Sequence, residues 1–145
     1  MASTTPAVGR GLNNVVASVF GAVYLLVGLL GFTVSGGHPA AGHMGGLLLG
    51  VFMVNIVHNV VHLLIGAVLL IAGLRGSERT AATADAVVGG AYLLVFIYGL
   101  VVPLSSAANF VALNSADNVL HVLSAVLLGV VGVIGLRGRR ADVPA

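Results

Sequence analysis

Four long apolar segments limit what this chain can fold into. They lie at about Val15 to Val34, Leu47 to Leu74, Ala86 to Val102 and Ala116 to Leu136. Each is close to the roughly 20 residues that an α-helix needs to cross a hydrocarbon core about 30 Å thick. Only 7% of the 145 residues are charged, against about a quarter in a typical soluble domain. The sequence therefore predicts one all-α integral membrane domain over residues 1–145, a four-helix bundle in contact with the lipid bilayer.

The distribution of the six arginines predicts the orientation of the helices. All of them fall on one side of the predicted bundle, at positions 10, 75, 79, 137, 139 and 140, and the connections after helices 1 and 3 contain no Lys or Arg. Because positively charged loops stay in the cytoplasm, we expect a multi-pass plasma-membrane protein with both termini cytoplasmic. Six arginines are too few to predict a nucleic-acid-binding surface. The absence of cysteine excludes disulfides and thiolate metal sites.

The composition of the connecting segments predicts their structure. Residues 33–46 are rich in Gly and His and are expected to form a loop, 75–84 a short polar turn and 141–145 a disordered tail. The apolar segment 47–54 either lengthens helix 2 or forms an interfacial or re-entrant piece. Pro103 should end helix 3, and Asn114 or Ser115 should cap helix 4.

The two halves of the chain resemble each other. The segment Gly21-Ala-Val-Tyr24-Leu-Leu-Val in helix 1 matches Gly89-Gly-Ala-Tyr92-Leu-Leu-Val in helix 3. The polar pattern Asn55-x-x-His58-Asn59-x-x-His62 in helix 2 matches Asn114-x-x-Asp117-Asn118-x-x-His121 in helix 4. Two helices per repeat predict a parallel repeat of helices 1–2 and 3–4 about a pseudo-twofold axis along the membrane normal. Such an axis would turn the polar faces of helices 2 and 4 toward one another in the outer half of the membrane.

These two polar faces predict a metal site. His58 and His62 are spaced i, i+4, so one helix face presents both imidazoles, and His121 with Asp117 on helix 4 would complete the ligand set. Imidazole and carboxylate ligands suit Zn, Cu or Fe. The predicted polar network around them comprises Asn55, Asn59, Asn114, Asn118, Tyr24 and Tyr92. In the loop, His38 and His43 are either additional ligands or incidental solvated residues.

Two other interpretations remain open. A haem ligated by His62 and His121 is possible, although so small a bundle with few aromatic residues favours a bare ion. Alternatively, the polar residues form only an interhelical hydrogen-bond network that holds the bundle together, as Asn and His do in many membrane proteins. In that case the protein is a structural accessory subunit of a larger membrane complex, or a homo-oligomer.

The two polar patterns also carry a resemblance to a known family. His58-Asn59-Val60-Val61-His62 and Ala116-Asp117-Asn118-Val119-Leu120-His121, in a chain of this hydropathy, resemble a family of small, mostly actinobacterial four-helix membrane proteins that is known only as a domain of unknown function. The resemblance extends from about Asn13 to Leu136. It implies the four-helix fold and no activity. The sequence therefore favours a non-enzymatic membrane protein with an outward-facing polar site, a weaker option being a small transporter or oxidoreductase.

Overall fold

The computed structural model describes residues 11–138. Its elements, in chain order, are α1 (Leu12–Ser35), β1 (Gly46–Leu48), β2 (Phe52–Val54), α2 (Ile56–Arg75), α3 (Glu78–Val101) and α4 (Ser115–Gly138). All four helices are long and apolar enough to cross a membrane, which makes this a multi-pass membrane protein. The predicted disordered tail, 141–145, lies outside the described residues.

The helices pack as two pairs. α1 lies along α2 and α3 lies along α4, whereas contacts between the pairs are fewer and run mainly from α3 to α1 and to α2. Within the described residues α2 and α4 make almost no direct backbone contact, so they occupy opposite corners of the bundle. The predicted four-helix bundle with helix pairs 1–2 and 3–4 is confirmed.

Glycines at repeat-related positions hold each pair together. A Cβ placed on Gly21 of α1 would lie 2.4 Å from the backbone nitrogen of Leu70 in α2, and one on Gly89 of α3 would lie 2.4 Å from that of Gly129 in α4. The offsets between these pairs, 89 − 21 = 68 and 129 − 70 = 59, are those of the sequence repeat. The repeat therefore extends to the packing within each helix pair, as the predicted pseudo-twofold requires.

The segment before α2 is a β-hairpin and not a helix. β1 pairs antiparallel with β2, with Leu47 opposite Met53, and the tight turn between the strands places Leu49 and Gly50 at positive φ. The prediction that helix 2 starts at position 47 was wrong, because residues 46–54 form this hairpin and α2 starts at Ile56. Asn55 ends the hairpin because its extended backbone and side-chain cap start α2 at Ile56.

The third helix begins earlier than predicted. Residues 78–84, expected to form part of a polar turn, are the first two turns of α3, and only Gly76 and Ser77 connect α2 to α3. Ser77 caps the helix by accepting a hydrogen bond from the backbone N–H of Thr80 at 3.1 Å. Glu78 is compatible with this position because an acidic side chain at a helix N-terminus interacts favourably with the helix dipole.

Glu78 also ties the start of α1 to α3. Its Oε1 accepts hydrogen bonds from the backbone N–H and the side-chain Nδ2 of Asn13, both at 3.0 Å, and its Oε2 accepts one from the backbone N–H of Asn14 at 3.3 Å. Asn14 Nδ2 in turn donates to the carbonyl oxygens of Gly73 and Gly76 near the end of α2. This end of the bundle, called the turn end below, is fixed by polar contacts that satisfy N–H groups left free at the start of a helix.

Two connections cover the opposite end, called the hairpin end below. They are residues 36–55, which include the hairpin, and residues 102–114 between α3 and α4. Gly42 forms a parallel β-bridge with Val111, and the Nδ2 of Asn55 donates to the carbonyl oxygens of Gly42 and Phe110 at 3.0 and 2.8 Å. The two connections therefore form one hydrogen-bonded cover above the bundle.

Candidate metal centre

Three histidines meet between α2 and α4. His58, His62 and His121 each offer a ring nitrogen, and these three atoms lie within 4.8 Å of one another. All three side chains are buried, with 3–5% of their surface exposed. Such a spacing can close around a single metal ion, because Zn–N bonds of about 2.0–2.1 Å place tetrahedral ligands a little over 3 Å apart.

The helix arrangement explains why the imidazoles converge. His58 and His62 are one turn apart on α2, with ring centroids 4.6 Å apart, and the ring of His58 lies 6.0 Å from that of His121. Because α2 and α4 stand at opposite corners, these side chains reach into the space between them. The prediction that the two polar helix faces turn toward one another agrees with this geometry.

A backbone hydrogen bond sets the tautomer of His58. Its Nδ1 lies 2.9 Å from the carbonyl oxygen of Val111, and a carbonyl can only accept, so Nδ1 carries the proton. The lone pair of the neutral ring is then on Nε2. Metal-binding histidines usually have this arrangement, in which the nitrogen that does not bind the metal donates to a carbonyl or carboxylate.

The other two histidines have unpaired nitrogens. The Nδ1 atoms of His62 and His121 are buried and have no hydrogen-bond partner among the described residues. A buried polar atom without a partner is destabilising by about 1–3 kcal/mol. A metal ion accepts lone pairs and would therefore stabilise two such nitrogen atoms at one site.

Two tyrosines lie beneath the histidines. The ring of Tyr24 stacks on His62 with centroids 5.6 Å apart, that of Tyr92 lies 5.2 Å from His121, and the two tyrosine rings are 5.2 Å from each other. In this His–Tyr–Tyr–His row, each tyrosine of the predicted polar network lies beside the histidine of its own half of the repeat. The hydroxyl groups of both tyrosines are buried, and that of Tyr24 lies close to those of Tyr92 and Ser124.

Asp117, the predicted fourth ligand, has a different role. Its Oδ2 accepts a hydrogen bond from the backbone N–H of Asn114 at 2.9 Å, while Asn114 Oδ1 accepts one from the backbone N–H of Asp117 at 2.9 Å. This is a reciprocal cap at the start of α4. Among the described residues, Asp117 is not part of the group that could hold an ion, although its repeat equivalent, His58, is.

The four asparagines predicted to surround the ligands do not contact the imidazole rings through hydrogen bonds. Asn55 and Asn114 cap α2 and α4. Asn59 Nδ2 donates to Ser35 Oγ at 3.1 Å, and Asn118 Nδ2 donates to the carbonyl oxygen of Gly99 at 3.0 Å. These residues position the helices that carry the histidines and do not orient the imidazoles directly.

The loop histidines lie apart from the cluster. His38 and His43 are exposed at the hairpin end, and among the described residues neither belongs to the group whose ligand atoms converge. The structure thus brings together three of the six histidine and aspartate positions predicted as ligands, those being His58, His62 and His121.

The cavity beside the three histidines is too small for haem. It has a volume of about 70 Å³ and is lined by all three rings. Since a water molecule occupies about 30 Å³ of liquid, the cavity holds only two or three small atoms and not a porphyrin ring. The chemistry that fits this arrangement is a bare ion with imidazole ligands.

The model of a domain of unknown function (DUF4383) matches residues 14–134. The chain belongs to this family. The match spans nearly all of the four helices and confirms the resemblance seen in the two polar patterns. No curated protein and no solved structure matches this DUF4383 chain.

Sequence reasoning missed several residues that shape the bundle of this DUF4383 protein. The carbonyl group of Val111 positions His58, but a backbone acceptor leaves no signal in the side-chain pattern. Asp85 was expected to lie in the connection before helix 3, yet it is fully buried in α3 with both carboxyl oxygens unpartnered among the described residues. Asp85 lies seven residues before Tyr92. This spacing places both residues on the same face of a helix and was the one signal in the sequence for the inward position of Asp85.

Proposed function

We propose that this small membrane protein binds one transition-metal ion through His58, His62 and His121. The observation that carries this proposal is the convergence of a ring nitrogen from each of three buried histidines. In two of them the Nδ1 atom has no hydrogen-bond partner among the described residues. The hydrogen bond from His58 Nδ1 to Val111 supports it, because that bond directs the lone pair of the ring to Nε2. No catalytic step is part of the proposal.

The ligand set restricts the type of ion. Three neutral imidazoles suit Zn, Cu or Fe and not Mg or Ca, which prefer oxygen ligands. The chain has no cysteine, and Asp117 caps α4, so the site is uncharged before the ion binds. The free energy needed to transfer an ion from water into a buried site of low polarity rises with the charge of the ion. Cu(I), which carries a single charge, is therefore the species best matched to this site.

The distribution of arginines supports a position for the site within the membrane. Arg75 and Arg79 lie at the turn end, whereas the connections at the hairpin end carry no Lys or Arg. By the positive-inside rule, the turn end is cytoplasmic and the hairpin end faces outward from the plasma membrane. The metal centre then lies in the outer half of the bilayer, beneath the cover formed by residues 36–55 and 102–114.

The main competing interpretation is a purely structural polar network in an accessory subunit. A network that only holds helices together is expected to pair its polar atoms, because interhelical hydrogen bonds are its source of stability. The unpaired Nδ1 atoms of His62 and His121 do not fit that expectation. A metal ion bound through these Nδ1 atoms would give both of them a partner.

The experiment is metal analysis of the detergent-purified protein after exposure to Zn(II), and to Cu(I) under reducing conditions. We expect one ion per chain, and we expect that His62→Ala and His121→Ala lose it. His38→Ala and His43→Ala are the matched controls and should keep the wild-type metal content, since both side chains are exposed in the loop. Equal metal content in the His62, His121 and loop variants would contradict the proposed site. Protein that binds no metal and co-purifies with a membrane partner would support the accessory-subunit interpretation.

A further inference from the structure

Within residues 11–138 the ligand group consists of three histidines only. Among the described residues no other histidine or carboxylate converges with His58, His62 and His121, and the nearest candidate by sequence, Asp117, is occupied at the N-terminus of α4. Metal sites with three protein ligands keep an open position for water or an exogenous molecule. The cavity beside the site determines which molecules can reach this position.

The cavity beside the site has apolar walls. Apart from the three histidines and Tyr92, its lining consists of Val61, Ile65, Ala91, Val95, Val111 and Leu113. Among the described residues, no Asp, Glu, Lys or Arg lines it. An anion passing these apolar walls would lose its hydration shell before it reached the metal ion, which is strongly unfavourable. An uncharged molecule has no such penalty.

The cavity lies at the lipid-facing seam between α2 and α3. Val61 on α2 is 40% exposed, and Ala91 on α3 is also exposed on the outer surface of the bundle. Both residues lie within helices that cross the membrane, so the exposed side of this seam contacts lipid tails. α3 packs less closely on α2 than on α4, which leaves the seam narrow but accessible.

The route from the hairpin end is more obstructed. Val111 and Leu113 close the cavity on that side, and Leu113 is only 2% exposed. The hydrogen bonds from Asn55 to Gly42 and Phe110 fix this part of the cover. Water-soluble molecules therefore meet this hydrogen-bonded cover, whereas molecules dissolved in the bilayer meet the seam.

We infer that the open coordination position takes a small uncharged molecule, of the size of dioxygen or nitric oxide, which enters from the lipid between α2 and α3. The cavity of about 70 Å³ accepts two or three heavy atoms, since one water molecule occupies about 30 Å³. This inference rests on the proposed metal centre and specifies its exogenous ligand and its entrance.

The test uses carbon monoxide as the probe on the full-length protein loaded with Cu(I) in lipid nanodiscs. Wild-type protein should bind one CO per copper, detected as an infrared band of copper-bound CO. Ala91→Phe should lose this band while its copper content stays at the wild-type level, because the larger side chain fills the entrance. Val61→Phe narrows the same entrance from α2 and should give the same result, which keeps the test valid if one variant does not fold.

The matched control is Val23→Phe. Position 23 of α1 is the repeat equivalent of position 91 (91 − 23 = 68), and its side chain is likewise exposed, at 48%, but it does not line this cavity. The control should keep both copper and CO. A copper-loaded protein that binds no CO, or Phe variants at positions 61 and 91 that bind CO as wild type does, would overturn the open position or the entrance. Wild-type protein that binds no metal would instead overturn the metal centre itself.

Discussion

At the scale of single residues, two glycine–asparagine contacts set the positions of α2 and α4. A Cβ added to Gly31 of α1 would lie 1.9 Å from Asn59 Oδ1, and a Cβ added to Gly99 of α3 would lie 1.9 Å from Asn118 Oδ1. Each asparagine directly follows a residue of the polar pattern, His58 or Asp117. The absence of a side chain on each glycine therefore allows the neighbouring helix to approach at the depth of the metal centre.

We expect Gly31→Ala and Gly99→Ala to destabilise the protein. The new methyl group overlaps a buried amide that has no room to move, and overpacking of this kind costs about 1–3 kcal/mol. The matched control is Gly90→Ala on α3, where a Cβ meets no atom within 4 Å and where Ala is the better helix former by up to about 1 kcal/mol. The measurement is the apparent melting temperature in detergent, and a Gly99→Ala protein as stable as Gly90→Ala would contradict the packing described.

A second prediction at this scale separates the two roles considered for Asp117. Because its carboxylate caps α4, Asp117→Asn should keep the wild-type metal content, since the Asn oxygen can still accept the hydrogen bond from Asn114. Asp117→Ala should lower stability by about 1 kcal/mol, the usual cost of a lost cap, with the metal content again unchanged. Metal analysis together with melting curves checks both results. If Asp117→Asn loses the ion while retaining wild-type stability, Asp117 is a ligand after all.

Residue types and spacing predicted part of the centre. The i, i+4 pair His58 and His62 and the repeat-related His121 were found because the three residues stand out against an apolar background. The role of Asp117 was not predictable from type, since a carboxylate three residues after Asn114 fits a metal site and a helix cap equally well. Only the observed hydrogen bonds with Asn114 distinguish the two.

At the scale of elements, the cover at the hairpin end depends on the start of α2. Asn55 is fully buried, accepts a hydrogen bond from the backbone N–H of His58 at 2.9 Å and donates to both connections. Its repeat equivalent, Asn114, caps α4 and donates to the carbonyl oxygen of Val51 in the hairpin turn. The helix starts and the loops above them are therefore one connected structure.

We predict that Asn55→Ala is more destabilising than Asn114→Ala. Asn55 makes three hydrogen bonds in a buried position, each with a net contribution of about 1 kcal/mol, and its loss leaves two loop carbonyl groups without a donor. It should also weaken metal binding, because the first turn of α2 carries His58. Competition with a metal-ion chelator measures the affinity, and melting curves measure the stability. A smaller loss of stability in Asn55→Ala than in Asn114→Ala would contradict this account of the cover.

The sequence predicted the helices well and the hairpin not at all. Periodicity and length identify a membrane helix because the chain must satisfy its own backbone hydrogen bonds in lipid. Residues 47–54 are also apolar, so composition alone extends helix 2 through them. The deciding feature is the positive φ of Leu49 and Gly50, and only the glycine gives any sign of that turn in the sequence.

At the scale of the whole molecule, the repeat divides the protein into two similar halves that share one site. The first half supplies His58 and His62, and the second supplies His121. Contacts within each pair, α1 with α2 and α3 with α4, exceed those between the pairs. The repeat was visible in the sequence because its polar positions match. The site is nevertheless partly asymmetric, with His58 in one half and the capping residue Asp117 in the other, and only the observed contacts show this difference.

We therefore expect the chain to tolerate a break between Gly76 and Ser77. Co-expressed segments 1–76 and 77–145 should insert with the same orientation, associate, and restore one metal ion per pair. The segment 1–76 expressed alone should bind the ion more weakly, because it lacks His121. Co-purification through a tag on one segment, followed by metal analysis, checks this result. If both segments insert but do not co-purify, the contacts of α3 with α1 and α2 are not sufficient to hold the two halves together.

The position of Glu78 has a consequence for how the protein is made. Its carboxylate satisfies the first N–H groups of α1, yet it follows Asn13 by 65 residues. During synthesis α1 and α2 are made before residue 78, so these hydrogen bonds with Asn13 and Asn14 cannot form until the start of α3 has left the ribosome. The N-terminal end of the first helix therefore acquires its native contacts later than the helix itself.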